Sequence, residues 1–229
     1  MRYELIGDSN CPMAKVALGN GETIKLERGA MAYMVDVDIS GKMNSKGGGL
    51  GGFVGAIGRS LTSGESMFIT EAVGKTDSSE IGIAPATMGK ITRLQVGERQ
   101  YRLNTGAYLA SDSKVNYKMV RQKISAALFG GTGGLFVMET EGYGDVLVNA
   151  FGDMIEIEVT PERPVVIDND HVVAWDKSLN YNIKVASGAF GFTTGEGLVN
   201  SFTGSGKVII QTRNLASFAG SIRKYMPAK

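Results

Sequence analysis

A chain of 229 residues that is 43% hydrophobic and 21% charged carries enough apolar material for one large core and too much for a disordered chain. Its 24 basic and 23 acidic residues leave a formal net charge of +1, which argues against a protein that grips nucleic acid mainly through phosphates. One cysteine, Cys11, excludes an internal disulfide and a thiolate metal site, and fits a reducing compartment.

From the N-terminus, residues 1–8 contain no apolar stretch of signal-peptide length. Asp36 and Asp38 form a carboxylate pair with strand spacing, expected on a solvent face. Residues 66–70 and 145–149 read as short strands bounded by glycine. Residues 120–129 read as a helix. The longest uncharged run, 124–138, has 15 residues with four glycines, short of the ~20 that span a bilayer. A cytoplasmic protein is expected. In residues 154–159, Ile155, Ile157 and Val159 share one face while Glu156 and Glu158 share the other. Residues 207–212 form a last strand, and residues 214–226 a helix with Leu215, Phe218, Ile222 and Tyr225 on one face. Nothing alternates strand and helix in the βαβ manner. The 32 glycines against 5 prolines suit many tight turns between short strands, so the expected class is all-β.

An internal repeat organises these elements. Residues 103–117 and 167–181 align without a gap, matching Ala110 to Ala174, Asp112 to Asp176, Asn116 to Asn180 and Tyr117 to Tyr181. A weaker third copy covers residues 26–34. Second elements follow at Phe68, Phe136 and Val199, and two copies carry a Gly-x-Gly hairpin, Gly142-Tyr143-Gly144 and Gly204-Ser205-Gly206. The expectation is one domain over 1–229, with repeats of about 21–96, 97–160 and 161–213 sharing a core because each is too small to stand alone. Between the two elements of each repeat lies a glycine-rich apolar stretch: 47–58 with Phe53, 124–138 with Phe129, and 185–195. In a threefold arrangement these loops emerge on one face, as a subunit interface or a membrane contact.

The inventory of chemistry is thin. Gly47-x-Gly49-x-x-Gly52 spells a dinucleotide fingerprint, but a polar loop precedes it and no βαβ unit surrounds it. Gly74-Lys75-Thr76 lacks the glycine that a phosphate loop needs five positions earlier, where Ile69 stands. The one histidine, His171, follows Asp168 and Asp170; the three could offer metal donors, yet adjacent ligands on a short loop rarely converge, and a polar turn is expected. The sequence has no Gly-x-Ser-x-Gly motif for a nucleophile. Trp175, the only tryptophan, is either a core aromatic or an exposed stacking platform. Gln211 and Arg213 close the last strand as a hydrogen-bond network or a small polar patch.

These residues resemble a known family. The opening Tyr3-Glu4-Leu5-Ile6-Gly7, then Gly21-Glu22-Thr23-Ile24, Glu27 to Met31, Gly48 to Gly52, Gly64 to Phe68, Asp168 to Trp175, Gly195 to Leu198 and Gln211-Thr212-Arg213 are similar to the Altered Inheritance of Mitochondria protein twenty-four family. The resemblance covers essentially the whole chain. It implies the fold of the tryptophan RNA-binding attenuation protein, a short double-stranded β-helix that assembles into rings, and an oligomer, a trimer foremost. Yeast members are mitochondrial and tied to inner-membrane organisation. No catalytic residues or cofactor come with the family. The expected function is therefore a non-enzymatic scaffold or interaction protein, assembling as a ring-like homo-oligomer and free of metal. The alternative is a ligand- or single-stranded-RNA-binding module. Candidate binding residues are Phe53, His171, Trp175, Gln211 and Arg213.

Overall fold

The computed structural model describes residues 1–43, 68–104, 106–121, 136–186 and 197–227. Alternation in the sequence becomes strand directly. In β2 (Met13–Leu18), Ala14, Val16 and Leu18 are buried while Lys15 and Ala17 point away, the period-two pattern of a pleated strand with one covered face. β1 (Arg2–Ile6) precedes it. The rest of the first group is β3 (Thr23–Glu27), β4 (Met31–Val35), β5 (Val37–Met43), β6 (Phe68–Gly74) and β7 (Ser79–Ile83). The second group is β8 (Ile91–Val96), β9 (Tyr101–Asn104), β10 (Tyr108–Asp112), β11 (Val115–Arg121), β12 (Phe136–Gly142) and β13 (Gly144–Asn149). The third is β14 (Met154–Val159), β15 (Val165–Asp168), β16 (Val172–Asp176), β17 (Asn180–Val185), β18 (Leu198–Thr203) and β19 (Gly206–Gln211), followed by helix α1 (Leu215–Arg223). Among the described residues the architecture is all-β, with one α-helix at the C-terminal end.

The strands form four antiparallel sheets, ordered β1-β2-β7-β4, β5-β6-β3-β10-β13-β8, β11-β12-β9-β16-β19-β14 and β15-β18-β17. Within β2–β7, β8–β13 and β14–β19 alike, the sixth strand pairs with the first and third, and the fifth with the second and fourth. The second strand of one group also pairs with the third of the next, in β3–β10 and β9–β16. A register shift falls at corresponding places, between Met31 and Tyr33, Tyr108 and Ala110, and Val172 and Ala174. Each is one extra residue opposite two successive partners, the signature of a β-bulge, which bends a strand and re-aims its side chains.

Three apolar clusters fill the folded sheets. One surrounds Val16, Leu26 and Ile81, a second Leu103, Tyr108 and Val148, and a third Trp175, Leu179 and Phe202. Burying such side chains contributes ~1.5–3 kcal/mol each. The matched aspartates have a structural reason. Asp112 Oδ2 accepts the amide of Asp145 at 2.7 Å, and Asp176 Oδ2 accepts that of Lys207 at 2.8 Å. The preceding residue must be glycine for this approach: a Cβ on Gly144 would lie 2.8 Å from the Asp112 side chain, and one on Gly206 would lie 2.9 Å from Asp176 Oδ2.

Two strands differ from their counterparts. β10 and β16 are almost wholly buried, whereas β4, Met-Ala-Tyr-Met-Val, is exposed except for half-buried Tyr33. On β15, Val166 is 58% exposed. Among the described residues, no strand pairs with the outer edge of β4 or of β15.

Several expectations need correction. The helix expected at 120–129 begins as strand: Val120 and Arg121 close β11, paired with Val137 and Phe136, and the remainder lies outside the described residues. The glycine-rich stretches 47–58 and most of 124–138 and 185–195 also lie outside them; of these, Phe136 to Met138 open β12 and Val185 closes β17. Asp36 does not share a strand with Asp38. It links β4 to β5 at φ +52°, a left-handed conformation that aspartate tolerates better than most residues. Of the face shared by Ile155, Ile157 and Val159, Val159 is buried and Ile157 partly so, while Ile155 on the edge strand β14 is exposed. The C-terminal helix is shorter than expected, ending at Arg223, with Tyr225 and Met226 held in a turn.

Candidate functional site

The connections between strand groups converge at one end of the molecule. Gly152 N donates to Met88 O and Lys90 N to Gly152 O, at 2.8 and 2.9 Å. Arg213 N donates to Phe151 O and Thr212 N to Asp153 O, at 3.1 and 3.0 Å. The segments 88–90, 150–153 and 211–213 thus lie side by side. Gly152 sits at φ +85°, and a Cβ there would meet Thr212 Oγ1 at 2.5 Å and Arg213 Cγ at 2.7 Å. Glycine alone permits this approach.

Helix α1 starts where the last of these segments ends. Asn214 Oδ1 accepts the amide of Ser217 at 2.8 Å, an N-cap that fixes the helix start. None of its residues is buried, and Phe218 touches Phe151 edge-to-face at 5.3 Å. The helix walls two clefts. The first, about 800 Å³, is lined by Cys11, Met88, Asp153, His171, Arg213 and Phe218 among others. The second, about 470 Å³, lies under Leu215 and Ala219, with Asn104, Asn149 and Asn169 on its floor.

His171 and Gln211 meet here, with Arg213 beside them. His171 Nδ1 is 2.7 Å from Gln211 O. A carbonyl only accepts, so Nδ1 carries the proton and donates. Gln211 is used at both ends: Oε1 accepts Phe151 N and Nε2 donates to Asp170 O, each at 2.9 Å. Gln211 thus belongs to a structural hydrogen-bond network. Arg213 is exposed, and among the described residues no ion pair engages it. Asp168 accepts the amide of Asp170 at 2.9 Å and so caps the 3-10 turn Asn169–His171. Among the described residues, no three acidic, histidine or cysteine side chains stand close enough to hold a metal.

Trp175 is corrected as a binding candidate. It is 2% exposed, packed edge-to-face on Tyr181 at 5.0 Å and Phe202 at 5.6 Å, so it offers no face to a base or ligand. Phe53 lies outside the described residues.

Sequence reading missed the amides beneath the helix. Asn104 Nδ2 donates to Asn169 O and Val172 O at 3.0 and 3.1 Å, and Asn200 Nδ2 donates to Asn169 Oδ1 at 2.9 Å. Asn149 and Asn200 are buried, and among the described residues the Oδ1 of each has no hydrogen-bond partner. These four residues come from β9, β13, β18 and the 3-10 turn. Only their appearance within or beside apolar runs, as in Val146 to Asn149, signalled burial. Amides donate and accept without exchanging protons, so this arrangement orients and binds but supplies no general acid or base.

The chain is 47% identical to an uncharacterized protein of Streptococcus pyogenes serotype M6, over 99% of this chain and 92% of the relative. A crystal structure of another Streptococcus pyogenes protein superposes with a TM-score of 0.80 at 43% identity, covering 98% of this chain and 99% of that one. The family described as mitochondrial biogenesis AIM24 matches residues 3–213, and the chain belongs to that family.

Proposed function

We propose that this chain is a non-enzymatic scaffold or interaction protein, built as three copies of one six-stranded double-stranded-β-helix unit and assembling with further copies into a ring-like homo-oligomer, a trimer foremost. The recurrent pairing and the three equivalent bulges support the repeat. The observation that carries the assembly is β4, an uncharged apolar strand left exposed at a sheet edge. Exposed apolar edges recruit other strands, and monomeric proteins usually guard them with charge, proline or cover. Every other sheet-edge strand among the described residues carries at least one charged residue. The assembly acts in the cytoplasm; a lone exposed Cys11 suits that compartment, and no helix among the described residues is long and apolar enough to cross a membrane. Light scattering coupled to size exclusion tests the reading: a mass that is a multiple of 24.3 kDa is expected, and a 24.3 kDa particle at micromolar concentration overturns it.

A second reading, a ligand-binding module, is favoured by the unpartnered Asn149 Oδ1 at the cleft under α1. Buried acceptors without a donor are costly, which favours a ligand that brings an N–H or O–H. Calorimetric titration with free tryptophan and with single-stranded RNA at low salt checks it; heat of binding abolished in Asn149→Leu supports it, and silence with both excludes these two ligands.

A further inference from the structure

The two unpaired edges are the halves of a junction that the chain already makes twice. In the first junction, β3 meets β10 with Leu26 opposite Ala110, Lys25 opposite Ser111 and Ile24 opposite Asp112. In the second, β9 meets β16 with Leu103 opposite Ala174, Arg102 opposite Trp175 and Tyr101 opposite Asp176. Each joins the second strand of one group to the third strand of the next, just past the bulge. Carrying the register forward, the third group offers β15 as the next second strand, and the first group offers β4, the one third strand that has no such partner among the described residues. We infer that β15 of one chain pairs antiparallel with β4 of a second copy, placing Ile167 opposite Tyr33, Val166 opposite Met34 and Val165 opposite Val35. This inference rests on the self-association proposed above and names its surface.

The chemistry of the two edges agrees with that pairing. A position buried at both internal junctions is exposed here: Met34 is 45% exposed, against 1% for Ser111 and 2% for Trp175. Both internal junctions are bridged by a cation at one position, Lys25 to Val115 O and Arg102 to Leu179 O. At the same position β15 carries Val166, which faces Met34 in the inferred register, so the third junction is apolar. The three facing pairs of such a junction between separate molecules bring no charge to strip of water. Because β4 and β15 are different surfaces, the contact is head-to-tail, and it closes into a ring or runs on according to the angle each copy turns.

The test is placement of cysteines in a Cys11→Ser background. Met34→Cys with Val166→Cys, and separately Val35→Cys with Val165→Cys, bracket the alternation of wide and narrow pairs, and one of the two fits disulfide geometry. Oxidation is expected to give covalent dimers and larger species in one double variant, and none in either single variant. A disulfide confined to one chain overturns the inference, and so does dimer formation by a single variant, which marks like-with-like pairing. No cross-link while the native mass stays oligomeric also overturns it but leaves the self-association standing; a native monomer removes both. Introduced charge gives an independent arm with fold checked by circular dichroism: Met34→Lys alone and Val166→Glu alone dissociate the particle, and the two together in one chain restore it. A double variant as monomeric as the singles contradicts the register.

Discussion

Lys25 and Arg102 occupy the same place in successive strand groups, and each reaches across a junction to the corresponding carbonyl of the next group. Lys25 Nζ donates to Val115 O at 2.8 Å, and Arg102 Nη1 donates to Leu179 O at 3.1 Å. Arg102 does more: it pairs with buried Glu139 at 2.9 Å and lies 5.1 Å over the ring of Tyr181. Arg102→Ala therefore leaves a buried carboxylate with only Lys177 and Lys118, at 3.2 and 3.5 Å. Breaking such a pair costs about 3 kcal/mol, readable as a lower urea midpoint. Lys25→Ala removes the bonds to Val115 O and Asn116 Oδ1 and is expected to cost about 1 kcal/mol.

The same carboxylate sets an acid limit. Burial pushes Glu139 up, but hydrogen bonds and charge from Arg102 and Lys177 outweigh it and hold the group below its ordinary 4.5. A carboxylate with a depressed folded value contributes stability above the unfolded value and loses it as pH falls through the folded one. Stability should decline below pH 4.5, and Glu139→Gln should flatten that decline while lowering stability at neutral pH. An unchanged acid slope in the variant contradicts this role.

Gly152→Ala is expected to destabilise by more than 1 kcal/mol, roughly the upper end of tolerated glycine replacements, because strain at φ +85° adds to collision with Thr212 and Arg213. Gly97→Ala, with nothing within 4 Å of its added Cβ, is the control and should stay within about 0.5 kcal/mol of the parent.

Trp175 is the only tryptophan, so fluorescence reports on it alone. A ring held between Tyr181 and Phe202 should emit in the blue and resist quenching by iodide, and Trp175→Ala should cost about 3–5 kcal/mol. Red-shifted, easily quenched emission would return the ring to the surface.

How much was legible follows from range. Alternation in 154–159 and 207–212 gave strands because period two is written locally. The gapless match of Asp112 with Asp176 located two hydrogen bonds to strand amides, and the Gly-x-Gly hairpins marked the approach that those bonds require. The start of 120–129 misled because Val120 and Arg121 take their conformation from pairing with β12, a partner that local spacing does not show. The Asn104, Asn149, Asn169 and Asn200 cluster was invisible, since four separated segments bring it together. Most telling is β4: Met-Ala-Tyr-Met-Val is apolar throughout, and only its lack of a second neighbour among the described residues shows that it lies exposed.

Amide hydrogen exchange across β4 tests the assembly most directly. In an edge strand paired only with β7, alternate amides face outward without a partner. The account predicts slow exchange throughout residues 31–35 at concentrations where the oligomer persists, and fast exchange at every second amide on dilution or in Val166→Glu. Outward amides of β4 that exchange fast at every concentration, while the particle remains oligomeric, would contradict it.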